Sequence, residues 1–154
     1  MLESKDYCDY ETCVALKKLG YNEKTLAYYT SEGFFHWIRA YIYDVAIPDL
    51  ANSSNKKPYK HIIDAMSLYE AQKWLREEKD IHIEVYACAG GYIYELCKAY
   101  KPNSFSGGTT IYTPNDVDNP KLNDAGRYDD FETCLSEGIK EAVKILKENE
   151  SIQR

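Results

Sequence analysis

Residues 81–100, IHIEVYACAGGYIYELCKAY, alternate apolar and polar side chains on either side of a Gly-Gly pair, a pattern that fits little besides an antiparallel hairpin. With Gly90 and Gly91 as a two-residue turn, Ala89 faces Tyr92, Ala87 faces Tyr94, Val85 faces Leu96, Ile83 faces Lys98 and Ile81 faces Tyr100. One face of the pair is then apolar or aromatic except for Lys98, and it needs a covering layer. Two segments with helical spacing can supply one. Ser67–Lys79 carries Leu68, Ala71, Trp74, Leu75 and Glu78 on a largely apolar stripe behind a Ser67/Glu70 capping box. Residues 131–147 carry Phe131, Leu135, Ile139, Ala142 and Leu146. TTIYT, residues 109–113, reads as a third strand after the turn Ser106-Gly107-Gly108, and a long polar loop follows from Pro114 to Arg127. The C-terminal half is therefore expected to run α-β-β-β-α.

The N-terminal half reads helix, strand, strand. Asp9 is placed to cap a helix over 9–19 that Gly20 ends, with Tyr21 after it as the apolar contact of a left-handed C-terminal cap. LAYYT, residues 26–30, and FFHWIRAYIY, residues 34–43, flank Ser31-Glu32-Gly33 as a hairpin with a three-residue turn. The expected fold class is α+β, helices packed on antiparallel β-sheet. One domain over residues 1–154 is expected, with 1–47 and 59–154 as candidate subunits joined by the Pro-, Asn- and Ser-rich stretch 48–58.

Composition narrows the function classes. A net charge of −6 and a pI near 5.1 speak against a nucleic-acid backbone as partner, because phosphate is held by clustered Lys and Arg. Five cysteines, Cys8, Cys13, Cys88, Cys97 and Cys134, show no C-x-x-C pair and make an odd set, which suits neither a disulfide framework nor a zinc ribbon. A cytoplasmic setting is expected. No stretch approaches the ~20 apolar residues of a membrane helix, so no membrane partner is expected. The 15 tyrosines offer apolar bodies with hydrogen-bonding tips, which suits both sheet packing and interfaces.

Few motifs suggest chemistry. YCDYETC, residues 7–13, returns as YDDFETC, residues 128–134, with an Asp ahead of a helix and Glu in its first turn, the signature of helix initiation. His82, Glu84 and Cys97 share the polar face of the central hairpin, with Glu84 opposite Cys97 and His82 diagonal to it. A Cys/His pair oriented by a carboxylate is a form of nucleophilic site, and with a fourth ligand it is a form of zinc site. The same three residues are also ordinary for the polar side of a half-buried hairpin, and neither catalytic residues nor a metal or cofactor is assigned. GYNEKT, residues 20–25, lacks the second glycine of a phosphate loop, and DVDNPKLND, residues 116–124, lacks the glycine of a calcium loop. His36 and His61 have no ligand-spaced companions. The strand FFHWIRAYIY differs, since both its faces are apolar or aromatic; Phe35, Trp37, Tyr41 and Tyr43 form the candidate binding surface, unless the strand is covered on both sides.

SLYEAQKWLREEKDIHIEV, residues 67–85, together with the Y-E-T opening and ETCLSEGIKEAVKIL near the end, resembles uncharacterised small proteins of phages and mobile elements of Bacteroides-type bacteria. That resemblance implies an accessory role. The α-β-β-β-α order is similar to double-stranded-RNA-binding domains, and the hairpin with DDFETCLSEGIKEAVKIL is similar to the HicB antitoxin family. RNA-binding members carry lysines at the start of the final helix. This chain has Asp129, Asp130 and Glu132 there, so the resemblance implies the fold without the RNA surface. The expected function is non-enzymatic: binding of a host or element-encoded protein, in its most concrete form inhibition of a bacterial defence system. The alternatives are a HicB-like antitoxin or regulator and a small-nucleotide sponge stacking bases on aromatic side chains, with the interface of a homo-oligomer as one setting for such a pocket.

Overall fold

The computed structural model describes residues 3–37, 62–99, 109–112 and 119–153. Its contacts divide the chain into two compact units, Met1–Ser67 and Leu68–Arg154. Both are α+β, with antiparallel sheets.

In the first unit, helix α1 spans Tyr10–Lys18. Asp9 caps it by accepting the Thr12 N–H at 2.8 Å. Its end is a Schellman motif: Tyr21 N–H donates to the Leu16 carbonyl at 3.0 Å and Gly20 N–H to that of Lys17 at 3.1 Å. Gly20 takes the φ of 106° that this geometry demands. Leu16 and Tyr21, the apolar pair of the motif, are both buried. Strands β1 (Ala27–Tyr29) and β2 (Phe35–Trp37) form the expected hairpin, its turn closed by Thr30 N–H to Phe34 O at 2.9 Å and its αL position filled by Gly33, φ 83°.

A third strand, β3 (Ile63–Ala65), was not anticipated. It pairs antiparallel with β1, giving the order β2-β1-β3, so the first unit runs on past the 48–58 stretch to Ser67. Residues 48–58, like residues 38–43 at the end of the expected second strand, lie outside the described residues. Asp64 in β3 is almost buried and meets Lys17 of α1 at 2.6 Å, an ion pair that keeps a carboxylate inside the fold.

The second unit has the expected α-β-β-β-α order: α2 (Leu68–Lys79), β4 (His82–Cys88), β5 (Gly91–Lys98), β6 (Thr109–Tyr112) and α3 (Phe131–Ile152), with strand order β4-β5-β6. Both helices pack on this sheet and on each other. The hairpin register differs from the expected one by two residues. Ile83 pairs with Leu96, Val85 with Tyr94 and Ala87 with Tyr92, while Cys88 and Gly91 form the closing pair. Ala89 and Gly90 are therefore the turn, with only Gly90 (φ 89°) taking a positive φ there. Gly91 has a different duty: a Cβ at that position would lie 2.3 Å from the Tyr128 carbonyl oxygen, so only glycine admits the bridge between Tyr92 and Tyr128. A two-residue shift keeps every side chain on its face, which is why the buried side was still identified correctly.

The repeated heptads use the same local geometry. Asp130 accepts the Thr133 N–H at 2.7 Å, as Asp9 accepts that of Thr12. Cys13 and Cys134 are both fully buried. The aromatic after each cap meets a strand tyrosine edge-on, Tyr10 on Tyr29 at 5.8 Å and Phe131 on Tyr92 at 6.1 Å. Tyr7 and Tyr128, which open the two heptads, are buried and each makes an isolated antiparallel bridge. The surrounding topologies differ: α1 precedes a sheet ordered β2-β1-β3, whereas α3 follows one ordered β4-β5-β6. What recurs is a short helix-starting cassette. Asp9→Ala and Asp130→Ala should each remove ~1 kcal/mol, read as faster amide exchange confined to the first turn of the helix that carries the change.

Candidate functional site

The β1–β2 hairpin places its aromatic side chains on alternate faces. Phe35 and Trp37 lie on the side of Tyr29 and Tyr7, and the four rings form one cluster. Phe35 sits 5.1 Å from Tyr7, 5.4 Å from Tyr29 and 5.2 Å from Trp37, and Trp37 meets Tyr7 edge-on at 5.2 Å. Phe35 is thus partly committed to packing. Trp37 remains 44% exposed. On the other side, Phe34 is 66% exposed, and His36 stacks on Tyr28 with ring centres 5.4 Å apart and planes 19° from parallel.

Of the expected binding residues, the structure brings Phe35 and Trp37 together, while Tyr41 and Tyr43 lie outside the described residues. The stronger exposed group is Phe34, which the alternation of the strand places on the face opposite Phe35 and Trp37 and which the candidate surface does not include. The available signal was its position beside the turn glycine Gly33, where little chain remains to cover it. Leu26, also 51% exposed, precedes β1.

In the second unit the helices cover the side of the sheet that carries Ile83, Tyr94 and Leu96, all buried. The opposite side carries His82, Glu84 and Tyr86 of β4 against Cys97, Glu95 and Ile93 of β5, directly paired in that order. The expected pairing of Glu84 with Cys97 is corrected: His82 stands opposite Cys97 and Glu84 opposite Glu95. The corrected register moves the imidazole nearer the thiol, but the electrostatics oppose a nucleophile. Burial, then Glu95 and Glu84, push the Cys97 thiol up from its ordinary value, and a hydrogen bond with Glu95 adds to this. His82 Nε2 lies 3.8 Å from Asp80. Among the described residues no group of three His, Cys, Asp or Glu side chains is arranged to hold a metal ion, and no helix is long and apolar enough to cross a membrane.

The remaining cysteines are structural or shielded. Cys134 is pushed up to about 12 by burial, then by Cys88 and Asp130. Cys88 accepts the Arg127 Nε–H at 2.9 Å, and Asn123 donates to the Gly90 carbonyl at 2.9 Å, so these contacts hold residues 123–127 against the β4–β5 turn.

No protein-family model matches the chain, and neither a curated protein nor a solved structure matches it.

Proposed function

We propose that this protein acts by binding another protein through the aromatic β1–β2 hairpin, as an accessory factor of a phage or mobile element, with an inhibitor of a bacterial defence system as its concrete form. The observation that carries this reading is the pair of large aromatic side chains left open on one short hairpin, Phe34 at 66% and Trp37 at 44% exposure. Exposed aromatics on a rigid element are the commonest energetic anchors of protein interfaces. The acidic charge, and a polar face where Cys97 is held as a thiol, fit binding better than catalysis. Full-length protein used as bait in host lysate should recover one stoichiometric partner. Phe34→Ala and Trp37→Ala should each weaken that complex by about tenfold or more. Recovery of no stoichiometric protein, or equal recovery by both variants, would count decisively against the reading.

The α-β-β-β-α order of the second unit supports a second reading, an antitoxin-like regulator. RNA is a poor partner on that reading, since α3 opens with exposed Asp129 and Asp130, and Asp130 is engaged as a cap. A toxin gene beside this one, and a stable complex of the two products, are its requirements.

A further inference from the structure

We propose that the face of the β4–β5–β6 sheet opposite α2 and α3 docks an arginine-bearing basic segment of a partner protein, its guanidinium held between Glu84 and Glu95 and stacked on Tyr86. The proposal deepens the protein-binding reading, but it rests on residues of the other compact unit, so the aromatic hairpin and this face can fail separately.

One arrangement on this face works against the stability of the fold. Side chains paired directly across antiparallel strands have Cβ atoms about 5 Å apart, and like charges at that spacing are destabilising. Glu84 and Glu95 are such a pair. Among the described residues no lysine or arginine forms an ion pair with either. Glu95 also accepts a hydrogen bond from Thr110 Oγ1 of β6, which fixes one carboxylate in place. The neighbouring thiol senses the resulting negative field, because both carboxylates help to keep Cys97 protonated.

The flanking residues select among cations. Tyr86 follows Glu84 by two positions, so it lies on the same side of the sheet, opposite Ile93 and diagonal to Glu95; its ring is 46% exposed. A planar cation can lie on that ring while its N–H groups reach two carboxylates, and arginine meets both demands where a metal ion or lysine meets one. A metal is further disfavoured because the described residues hold no three-ligand group. Ile93 extends the patch with an apolar contact, which suits a peptide better than a free ion.

The test uses the full-length, isotope-labelled protein and a capped Arg-Gly repeat peptide, followed by amide chemical shifts. Shifts centred on Glu84, Tyr86, Ile93 and Glu95 are expected. Glu84→Gln should weaken binding roughly fivefold and at the same time raise Tm, a combination that a carboxylate serving only the fold would not produce. The control Glu148→Gln/Glu150→Gln removes two exposed carboxylates from α3 and should change affinity less than twofold. Phe34→Ala should bind the peptide as the parent does, which separates this site from the hairpin. Shifts scattered over the acidic surface, or equal loss in the control, would overturn the proposal. Equal binding of a Lys-Gly peptide would overturn the arginine assignment, and argininamide binding as tightly as the peptide would overturn the choice of a protein segment.

Discussion

Gly138→Leu should destabilise the second unit by ~3 kcal/mol, at the upper end of what overpacking a core costs, and should expose β5 amides that are otherwise slow to exchange. Gly138 lies in the middle of α3, where glycine weakens a helix by ~1 kcal/mol relative to alanine. Its presence is explained by proximity. A Cβ at this position would lie 2.7 Å from Ile83 Cγ2 and 3.3 Å from Tyr94 Cδ2, so the helix rides against the sheet with no room for a side chain. Ile83 is 2% exposed and β-branched, so its restricted χ1 and the surrounding core leave it little freedom to move aside. Gly138→Ala should also destabilise, by about 1–2 kcal/mol, because the propensity gain of ~1 kcal/mol offsets only part of the 2.7 Å clash with Ile83. Ile83→Ala supplies the confirming cycle: alone it creates a cavity, and with Gly138→Ala the new methyl fills part of it, so the double variant loses less than the sum. Additive losses in urea unfolding would show that the two sites do not touch.

Raising the pH from 7 to 11 should unfold the second unit progressively, with the onset near the ordinary Cys pKa of 9.0. The Cys134 thiol is pushed up to about 12 and the Tyr128 phenol likewise to about 12, in each case by burial first. Tyr94 is raised as well, for the same reason. The folded chain therefore keeps protons that the unfolded chain releases. Stability from these groups is fully present below the unfolded pKa and is lost as pH rises toward the folded one, by ~1.4 kcal/mol per pH unit for each group titrating. Cys134 alone should remove roughly 2–3 kcal/mol by pH 11 on this slope. Cys134→Ala should be less stable at neutral pH, yet its stability should fall less steeply with pH. Parallel curves for parent and variant, from urea titrations at each pH, would refute the assignment.

The parts of the fold that sequence revealed were those with local causes. Asp9, Gly20, Gly33 and Asp130 each announce a backbone requirement within three or four residues, and each stands where that requirement arises. The β4–β5 register was not legible, because Ala89-Gly90-Gly91 accommodates two turns that bury the same face. What decides between them is the Tyr128 carbonyl pressed against Gly91, which sits 37 residues further along the chain. Strand β3 was missed for a similar reason. It has three residues with an aspartate in the middle, and that aspartate is tolerated only because Lys17, 47 positions earlier, neutralises it. In the candidate site, Phe35 and Phe34 were indistinguishable by type, since both faces of the strand read as apolar. Their division into packed and exposed depends on Tyr7 arriving over Phe35.

The bridge between Tyr7 and Ser67, with Cys8 N–H donating to Met66 O at 2.9 Å, joins the two ends of the first unit. On a ribosome this sets a waiting time. The Asp9-capped helix can form as soon as it emerges, but the strand that secures it, β3, ends 47 residues after Lys18, a delay on the order of 2–9 s at ordinary rates of synthesis. During that interval the β1–β2 hairpin is made and its central strand has an open edge, the state most inviting to another chain. Within the first unit the helix that can form early is thus secured late, and a chaperone or a neighbouring copy has its best opportunity there before residue 67 is reached.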